Sequence, residues 1–338
     1  MAKTTFHTLS DEYSGRPIAA DSWPNIEARR EQEAQAAASG APAPTVAELR
    51  ENYRKTSLVE TVDVPAEPRT RDFEVGPWRA RLYDPRPEAE AGEETPVIVY
   101  LHGGGWVIGD LETHHPLNRR LSAVSGLPVV SVDYRLAPEH PYPAAVEDSR
   151  AAVSWVTDAA AEHGLKATRL GIGGDSAGGT LTAVLSNEIA AGSLNTHGVE
   201  LGAQVLFYPA VDLTKEHRES SPSYQRIARG FPLTAQTMEV FSSTYLPAGT
   251  DASAADISPL LHDLPEGLPA TYLVTADNDP LAHEGAEYAA RLAQAGAELT
   301  YAHLVGYAHS LFTSLKSIPT SVRYLDKAAA FFREQLAS

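Results

Sequence analysis

A serine lies between two glycines in Gly174-Asp175-Ser176-Ala177-Gly178. An apolar run that predicts a strand over 169–172 precedes it, and a stretch of helical character over 177–191 follows. This setting is typical of a strained strand-to-helix turn that presents a serine hydroxyl at the edge of a sheet. Glycines are needed on both sides because side chains would collide in so tight a turn. We therefore predict that Ser176 is a nucleophile.

A serine of ordinary pKa needs a histidine base and an acid that orients the base. Asp277 and Asp279 follow a strand predicted over 270–274, and His309 follows one predicted over 299–304. Both segments lie where the carboxyl ends of parallel strands build a site. We predict His309 as the base and Asp279 as the acid, with Asp277 as a competitor. Asp279 is favoured because Pro280 should begin the next helix and fix the loop.

Three other histidines are weaker candidates for the base. His303 lies within a predicted strand and is expected to point into the layers of the sheet. His102 and His140 precede the serine, whereas the expected chain order is serine, acid, histidine.

A glycine-rich segment, His102-Gly103-Gly104-Gly105-Trp106, follows the buried strand predicted over 97–101. Consecutive glycines let backbone N–H groups turn toward one point and let a substrate approach closely. A phosphate loop would need a lysine or the spacing Gly-x-Gly-x-x-Gly, and the segment has neither. We predict an oxyanion hole in which Gly104, Gly105 and Ala177 donate, with Gly103 as the hinge.

Strand-like and helix-like segments alternate from about residue 70 onward. This alternation predicts an α/β fold: a mostly parallel central sheet with helices on both faces. Residues 71–75 and 79–83 should form a hairpin at its beginning. Further strands are predicted over 96–101, 127–132, 169–172, 203–207, 270–274 and 299–304, with helices over 117–124, 144–161, 177–191, 281–295 and 322–336.

Two regions interrupt this pattern. Residues 1–56 are polar, with helices predicted over 26–39 and 45–55 and no strand-like alternation. The stretch 212–256 is too long for an ordinary connection between strands. We predict that both belong to a helical cap, on a catalytic domain that spans 57–338.

Composition restricts the partners and the chemistry. With 27 basic and 44 acidic residues the net charge is −17, which disfavours nucleic acid and anionic membrane surfaces as partners. The absence of cysteine excludes disulfides, thiolate metal sites and a cysteine nucleophile. No signal peptide or membrane span is evident, so we expect a cytoplasmic protein. We expect no metal and no organic cofactor, since a triad needs neither.

In these motifs the chain closely resembles the hormone-sensitive-lipase-like family of bacterial esterases. The matching segments are His-Gly-Gly-Gly-Trp at 102–106, Asp-Tyr-Arg-Leu-Ala-Pro-Glu-His at 133–140, Gly-Asp-Ser-Ala-Gly-Gly at 174–179, Ser-Pro-Leu-Leu at 258–261 and Asp-Pro-Leu at 279–281 with Glu284-Gly285. The resemblance covers about residues 70–335. It implies an α/β-hydrolase fold, the same triad and oxyanion donors, a two-part cap and a homodimer. Ser310 departs from the glycine common after the family's histidine, and we expect a neutral exchange at a helix N-cap.

The function predicted is hydrolysis of a small-molecule ester, with a small to medium apolar acyl or alcohol group, through an acyl-enzyme. An amide or acetyl-amine hydrolase would use the same residues and stays open. A non-catalytic receptor is disfavoured because such proteins usually lose a triad member, and a scaffold because no segment lies outside the enzyme body. Asp133 and Tyr134 are interpreted as supports beneath the site. The predicted pocket walls are Trp106, Tyr208, Phe231, Met238 and Phe241.

Overall fold

A computed structural model describes residues 5–7, 15–40 and 42–337 of the chain. Its β-strands form a central sheet and a short second sheet. The described strands are β1 Phe6–His7, β2 Ile18–Ala19, β3 Arg69–Val75, β4 Trp78–Asp84, β5 Glu94–Leu101, β6 Val129–Asp133, β7 Lys166–Asp175, β8 Glu200–Phe207, β9 Ala270–Asn278 and β10 Leu299–Ala308. The last eight form one sheet in the order β10-β9-β8-β7-β5-β6-β4-β3. In this sheet β4 runs opposite to the other seven strands and is antiparallel to both β3 and β6. The predicted mostly parallel sheet is confirmed.

Helices cover both faces of this sheet. The described helices are α1 Trp23–Ser39, α2 Val46–Leu58, α3 His115–Ser125, α4 Ala144–Thr157, α5 Ala177–Ala190, α6 Lys215–Ser220, α7 Pro222–Arg226, α8 Ala235–Tyr245, α9 Ala282–Gln294 and α10 Pro319–Leu336. None of those in the described ranges has the length and apolar character that a membrane span requires.

The central strand β5 shows how the core is divided. Val97, Val99 and Leu101 belong to one buried cluster, whereas Ile98 and Tyr100 belong to another. Successive side chains of a strand point to opposite faces, so a strand covered on both sides must be apolar throughout. The continuous apolar run at 97–101 is therefore explained by helices packing on both faces.

Three strands extend at least three residues beyond their predicted carboxyl ends, and the first is β7, which ends at Asp175 rather than at 172. β9 continues to Asn278 and β10 to Ala308, although they were predicted to end at 274 and 304. The helix after β9 begins at Ala282, so Pro280 precedes it and is not its first residue. Polar residues at the end of β9 interrupt its apolar pattern, and Gly306, with φ of +86°, interrupts that of β10. His303 lies on β10, the edge strand, and is partly exposed rather than buried between layers.

The N-terminal region contains an element that the sequence analysis missed. β1 and β2 pair as a two-stranded antiparallel sheet, too short to give a recognisable alternation. A separate apolar cluster joins Ile18 and Ile26 of this region to Ile227 and Phe231 of the stretch 212–256. Residues 1–4, 8–14 and 41 of the predicted cap lie outside the described residues. The two interrupting regions therefore pack together, and their role as a cap remains a prediction.

Candidate active site

Ser176 occupies the sharp turn between β7 and α5. Its φ is +54°, a conformation that residues with a side chain rarely adopt. A Cβ on Gly174 would lie 2.3 Å from the carbonyl oxygen of Gly178, so the flanking glycines are sterically required. The Ser176 N–H donates to the carbonyl of Phe207 at 2.9 Å. This hydrogen bond to the neighbouring strand β8 thus helps to keep Ser176 in its strained conformation.

Asp279 and His309 are directly hydrogen-bonded. The Nδ1 atom of His309 lies 2.6 Å from Oδ2 of Asp279, and the other carboxylate oxygen accepts the N–H of Leu281 at 2.9 Å. Asp279 is fully buried, and 7% of His309 is exposed, equal to Ser176. Both carboxylate oxygens of Asp279 therefore have a hydrogen-bond partner, and this fixes the orientation of the imidazole.

Asp277, the competing acid, faces a different set of partners. Its Oδ1 lies 2.7 Å from Nη1 of Arg16 and 3.4 Å from Nε2 of His303, and its Oδ2 accepts the N–H of Gly306. Burial would raise the pKa of Asp277, but His303, Arg16 and the Gly306 N–H together lower it. The structure brings Asp279, and not Asp277, to His309.

The glycine segment after β5 folds back toward the turn at Ser176. Gly104 and Gly105 have φ of +119° and +60°, and the Gly104 carbonyl accepts the N–H groups of Val107 and Ile108. Within the described part of the chain, neither Gly104 nor Gly105 donates its N–H to a protein acceptor. A Cβ on Gly105 would lie 2.3 Å from the ring of Phe241. Glycine is therefore required here both by the positive φ and by the lack of space for a side chain.

A buried polar network holds this segment from beneath, and sequence reasoning missed it. Asp175, the residue before the serine, accepts the N–H of Gly103 and the hydroxyl of Tyr100, each at 3.0 Å. Its Oδ1 also lies 3.1 Å from Nε2 of His114. Burial would raise the pKa of Asp175, but His114 and the hydrogen bonds lower it. The Gly103 N–H is thus used structurally, which fits a hinge.

The motif residue Tyr134 supports the same segment. Its hydroxyl donates to the carbonyl of His102 at 2.6 Å, and its ring stacks on that of His102 at 4.2 Å. Asp133, by contrast, forms an ion pair with Arg79. The only sequence signal for the Asp175 network was its position beside the serine.

The predicted pocket residues are all buried but do not form one group. Trp106, Met238 and Phe241 share a buried cluster with Ala177. The ring of Tyr208 lies 4.3 Å from that of His309. Phe231 instead belongs to the cluster formed with the N-terminal region. Its contacts connect it to the N-terminal region rather than to the turn at Ser176.

Ser310 adopts the left-handed conformation, with φ of +66°. It is the N-cap residue of a short 3₁₀ turn, Leu311–Thr313, but its side chain makes no capping hydrogen bond. The expected N-cap position is correct. The positive φ gives the physical reason why glycine suits this place.

Comparisons with known proteins agree with this architecture. A family described as having the alpha/beta hydrolase fold matches residues 98–313. The chain is 37% identical over 251 residues to Carboxylesterase NlhH of Mycobacterium tuberculosis, covering 72% of this chain and 75% of that protein. It is 37% identical over 243 residues to Ethyl acetate hydrolase of Pseudomonas putida, covering 71% and 72%. The Pyrobaculum calidifontis esterase structure superposes with a TM-score of 0.78 at 36% identity, covering 88% of this chain and 95% of that one.

The chain therefore belongs to the α/β-hydrolase family, in its hormone-sensitive-lipase-like branch. Within that branch it is a carboxylic ester hydrolase.

Proposed function

We propose that the protein hydrolyses esters by two-step acyl transfer, with Ser176 as nucleophile, His309 as base and Asp279 as orienting acid. The observations that carry the proposal are the 2.6 Å contact between His309 and a fully buried Asp279 and the strained turn at Ser176. A carboxylate bonded to Nδ1 keeps the proton there, which leaves Nε2 available as the base.

The first step forms a bond between Oγ of Ser176 and the carbonyl carbon of the ester. His309 accepts the serine proton as the bond forms, and then gives it to the departing alcohol. Water, deprotonated by His309, attacks the acyl-enzyme in the second step, and the acid is released with the serine restored. The N–H groups of Gly104, Gly105 and Ala177 would stabilise the negative oxygen in both intermediates.

The substrate proposed is a small molecule with a small to medium apolar acyl or alcohol group. Phe241 lies against Gly105, and Trp106 stacks on Tyr245 at 4.5 Å, so the surroundings of the proposed oxyanion donors are aromatic and buried. The relative named Ethyl acetate hydrolase supports a short acyl chain. Rates on p-nitrophenyl esters of increasing chain length test this, and a preference for long chains would contradict it.

The nucleophile is tested with an organophosphonate and the variant Ser176→Ala. We expect a single label on Ser176 and loss of about 10⁶ in kcat for the variant, with the fold retained. Labelling of another serine, together with turnover by Ser176→Ala, would overturn the proposal. Matched ester and amide substrates distinguish an esterase from an amidase that uses the same residues.

A further inference from the structure

Residues 15–21, which we call the N-terminal clasp, lie across the two loops that carry Asp279 and His309. On the acid side, the Arg16 N–H donates to Oδ1 of Asn278 at 2.6 Å, and Nδ2 of Asn278 donates to the Arg16 carbonyl at 3.1 Å. Arg16 also pairs with Asp277 at 2.7 Å. The clasp therefore holds both residues that immediately precede Asp279.

The clasp also holds the segment that leads to His309. The Tyr307 hydroxyl donates to Oδ1 of Asp21 at 2.8 Å, and the other oxygen of Asp21 accepts the N–H of Thr320. A Cβ on Gly306 would lie 2.9 Å from the backbone nitrogen of Ala19, so the two backbones are in close contact. Both residues before Ala308 are thus fixed by the clasp.

The sheet alone does not fix this segment. The pairing of β10 with β9 is regular from Leu299 to Leu304 and resumes only where Ala308 meets Asn278. The irregularity lies directly before His309, at the place where the clasp makes its contacts. A misplacement of about 1 Å between catalytic groups can cost about 100-fold in rate.

Asp277 connects the two loops beneath the clasp. Its carboxylate accepts from the N–H of Gly306 on one loop while it pairs with Arg16 of the clasp. The side chain of Asp277 is 1% exposed, so its charge depends on these partners and on His303. Loss of Arg16 would leave a buried carboxylate with less compensation at the junction of the loops.

We propose that Arg16 is a positioning residue, and that the clasp sets the reaction rate by fixing the acid and base loops relative to each other. The inference rests on the proposed function of Asp279 and His309. It assigns the N-terminal region an effect on proton transfer rather than on the size of the pocket.

The variant Arg16→Met tests the proposal because it keeps most of the side chain and removes the charge. We expect kcat to fall about tenfold with KM within about twofold, since the geometry of the base changes but the pocket does not. Arg16→Lys should recover part of the rate. The matched control is Arg29→Met, whose guanidinium pairs with Glu33 on the surface of α1, and it should leave kcat unchanged.

The proton in the hydrogen bond between His309 and Asp279 gives a second readout. Its low-field NMR resonance should disappear in Asp279→Asn and should shift or broaden in Arg16→Met but not in Arg29→Met. If Asp279→Asn leaves the resonance and the rate intact, the proposed triad is wrong. If Asp279→Asn behaves as expected and Arg16→Met changes neither kcat nor the resonance, the clasp is wrong while the triad stands.

Asp21→Asn provides an independent variant on the base side, in case Arg16→Met does not fold. It weakens the contact with Tyr307 without uncovering Asp277. We expect a smaller fall in kcat, again with KM nearly constant. A rise in KM with kcat unchanged would show that the clasp shapes the pocket, and would overturn the inference.

Discussion

Asp175 and Asp277 are buried aspartates within two residues of a proposed catalytic side chain, yet different parts of the chain hold them. Asp175 receives its hydrogen bonds from Tyr100 and Gly103, which belong to the central strand and the segment after it. Asp277 pairs with Arg16, whose side chain is 55% exposed and comes from the N-terminal region. The proposed oxyanion side of the site is thus supported from within the core, and the proposed acid–base side from outside it.

This difference predicts which substitutions should affect stabilisation of the oxyanion and which should affect proton transfer by the base. Support from the core is enclosed by the sheet, so it can be tested only by a substitution that keeps the shape of the side chain, such as Asp to Asn. Support from the N-terminal region can be altered while the sheet stays intact. Substitutions on the two sides therefore separate the oxyanion contribution from that of the base.

After loss of the nucleophile Ser176, the largest effect should come from the acid. Asp279→Asn should lower kcat by about 10⁴ with little effect on folding, because an amide cannot stabilise the imidazolium and favours the wrong tautomer. Asp277→Asn should cost far less, since Asp277 bonds the clasp and not His309. Measuring kcat for both variants side by side checks this. Equal losses would indicate a shared role, and a larger loss at Asp277 would identify it as the acid.

Removal of the N-terminal region should have the next largest effect. A chain beginning at Lys55 should keep most of its secondary structure by circular dichroism but lose about 100-fold or more in activity. It lacks both the clasp and Arg50, which donates to the Val107 carbonyl after the glycine segment.

A second truncation separates these two contributions. A chain beginning at Pro44 keeps α2 and Arg50 but lacks the clasp and α1. Most of the loss in kcat should already occur in this chain if the acid–base side depends on the clasp. Unchanged kinetics on every ester in both chains would reduce the region to a passive arm.

Support for the oxyanion side gives a smaller predicted effect. Asp175→Asn should lower kcat about tenfold with KM little changed, because Gly103 loses a charged acceptor and the donors beside it shift. Asp84→Asn is the matched control, a buried aspartate that pairs with Arg69 and Arg86 at the end of β4, beside the amino end of β6. It should reduce stability but not kcat of the folded protein. Equal kcat losses in both variants would argue against a specific role for Asp175.

The smallest effect is on stability, and it concerns a buried glutamate–histidine pair where the stretch 212–256 leaves the sheet. Glu284 accepts the Val211 N–H at 2.8 Å and lies 3.0 Å from Nε2 of His217 on α6. Burial raises the pKa of Glu284 to about 7. Burial would lower the pKa of His217, but Glu284 and Asp212 raise it above its ordinary value.

Both raised pKa values change stability in the same direction. The folded protein holds more protons than the unfolded chain between about pH 4.5 and 7, so its stability falls as pH rises through that window. Glu284→Gln removes both shifts and should flatten this fall, by about 1 kcal/mol in unfolding free energy. Urea unfolding at several pH values measures it. An unchanged slope would show that the pair does not titrate in this range.

The sequence by itself determined the mostly parallel character of the sheet, the strand-to-helix turn at Ser176 and the glycine segment at 103–105. Their signals are local: an apolar run buried on two faces, and glycines that sterics demand at fixed positions. The candidate acid, base and oxyanion donors could be proposed in the same way, because each follows directly after a strand. The strand ends at Asn278 and Ala308 could not, since Asp277 and Asn278 interrupt the apolar pattern of β9 and Gly306 interrupts that of β10.

Only the tertiary structure decided which aspartate meets His309 and what holds each loop. Asp277 and Asp279 are two residues apart, and the extension of β9 to Asn278 is what separates their surroundings. The partners of Asp277 and Asn278 lie about 260 positions away at Arg16, in a region without a strong pattern of its own. Contacts between such distant residues depend on how the whole chain packs, and local sequence carries no record of them.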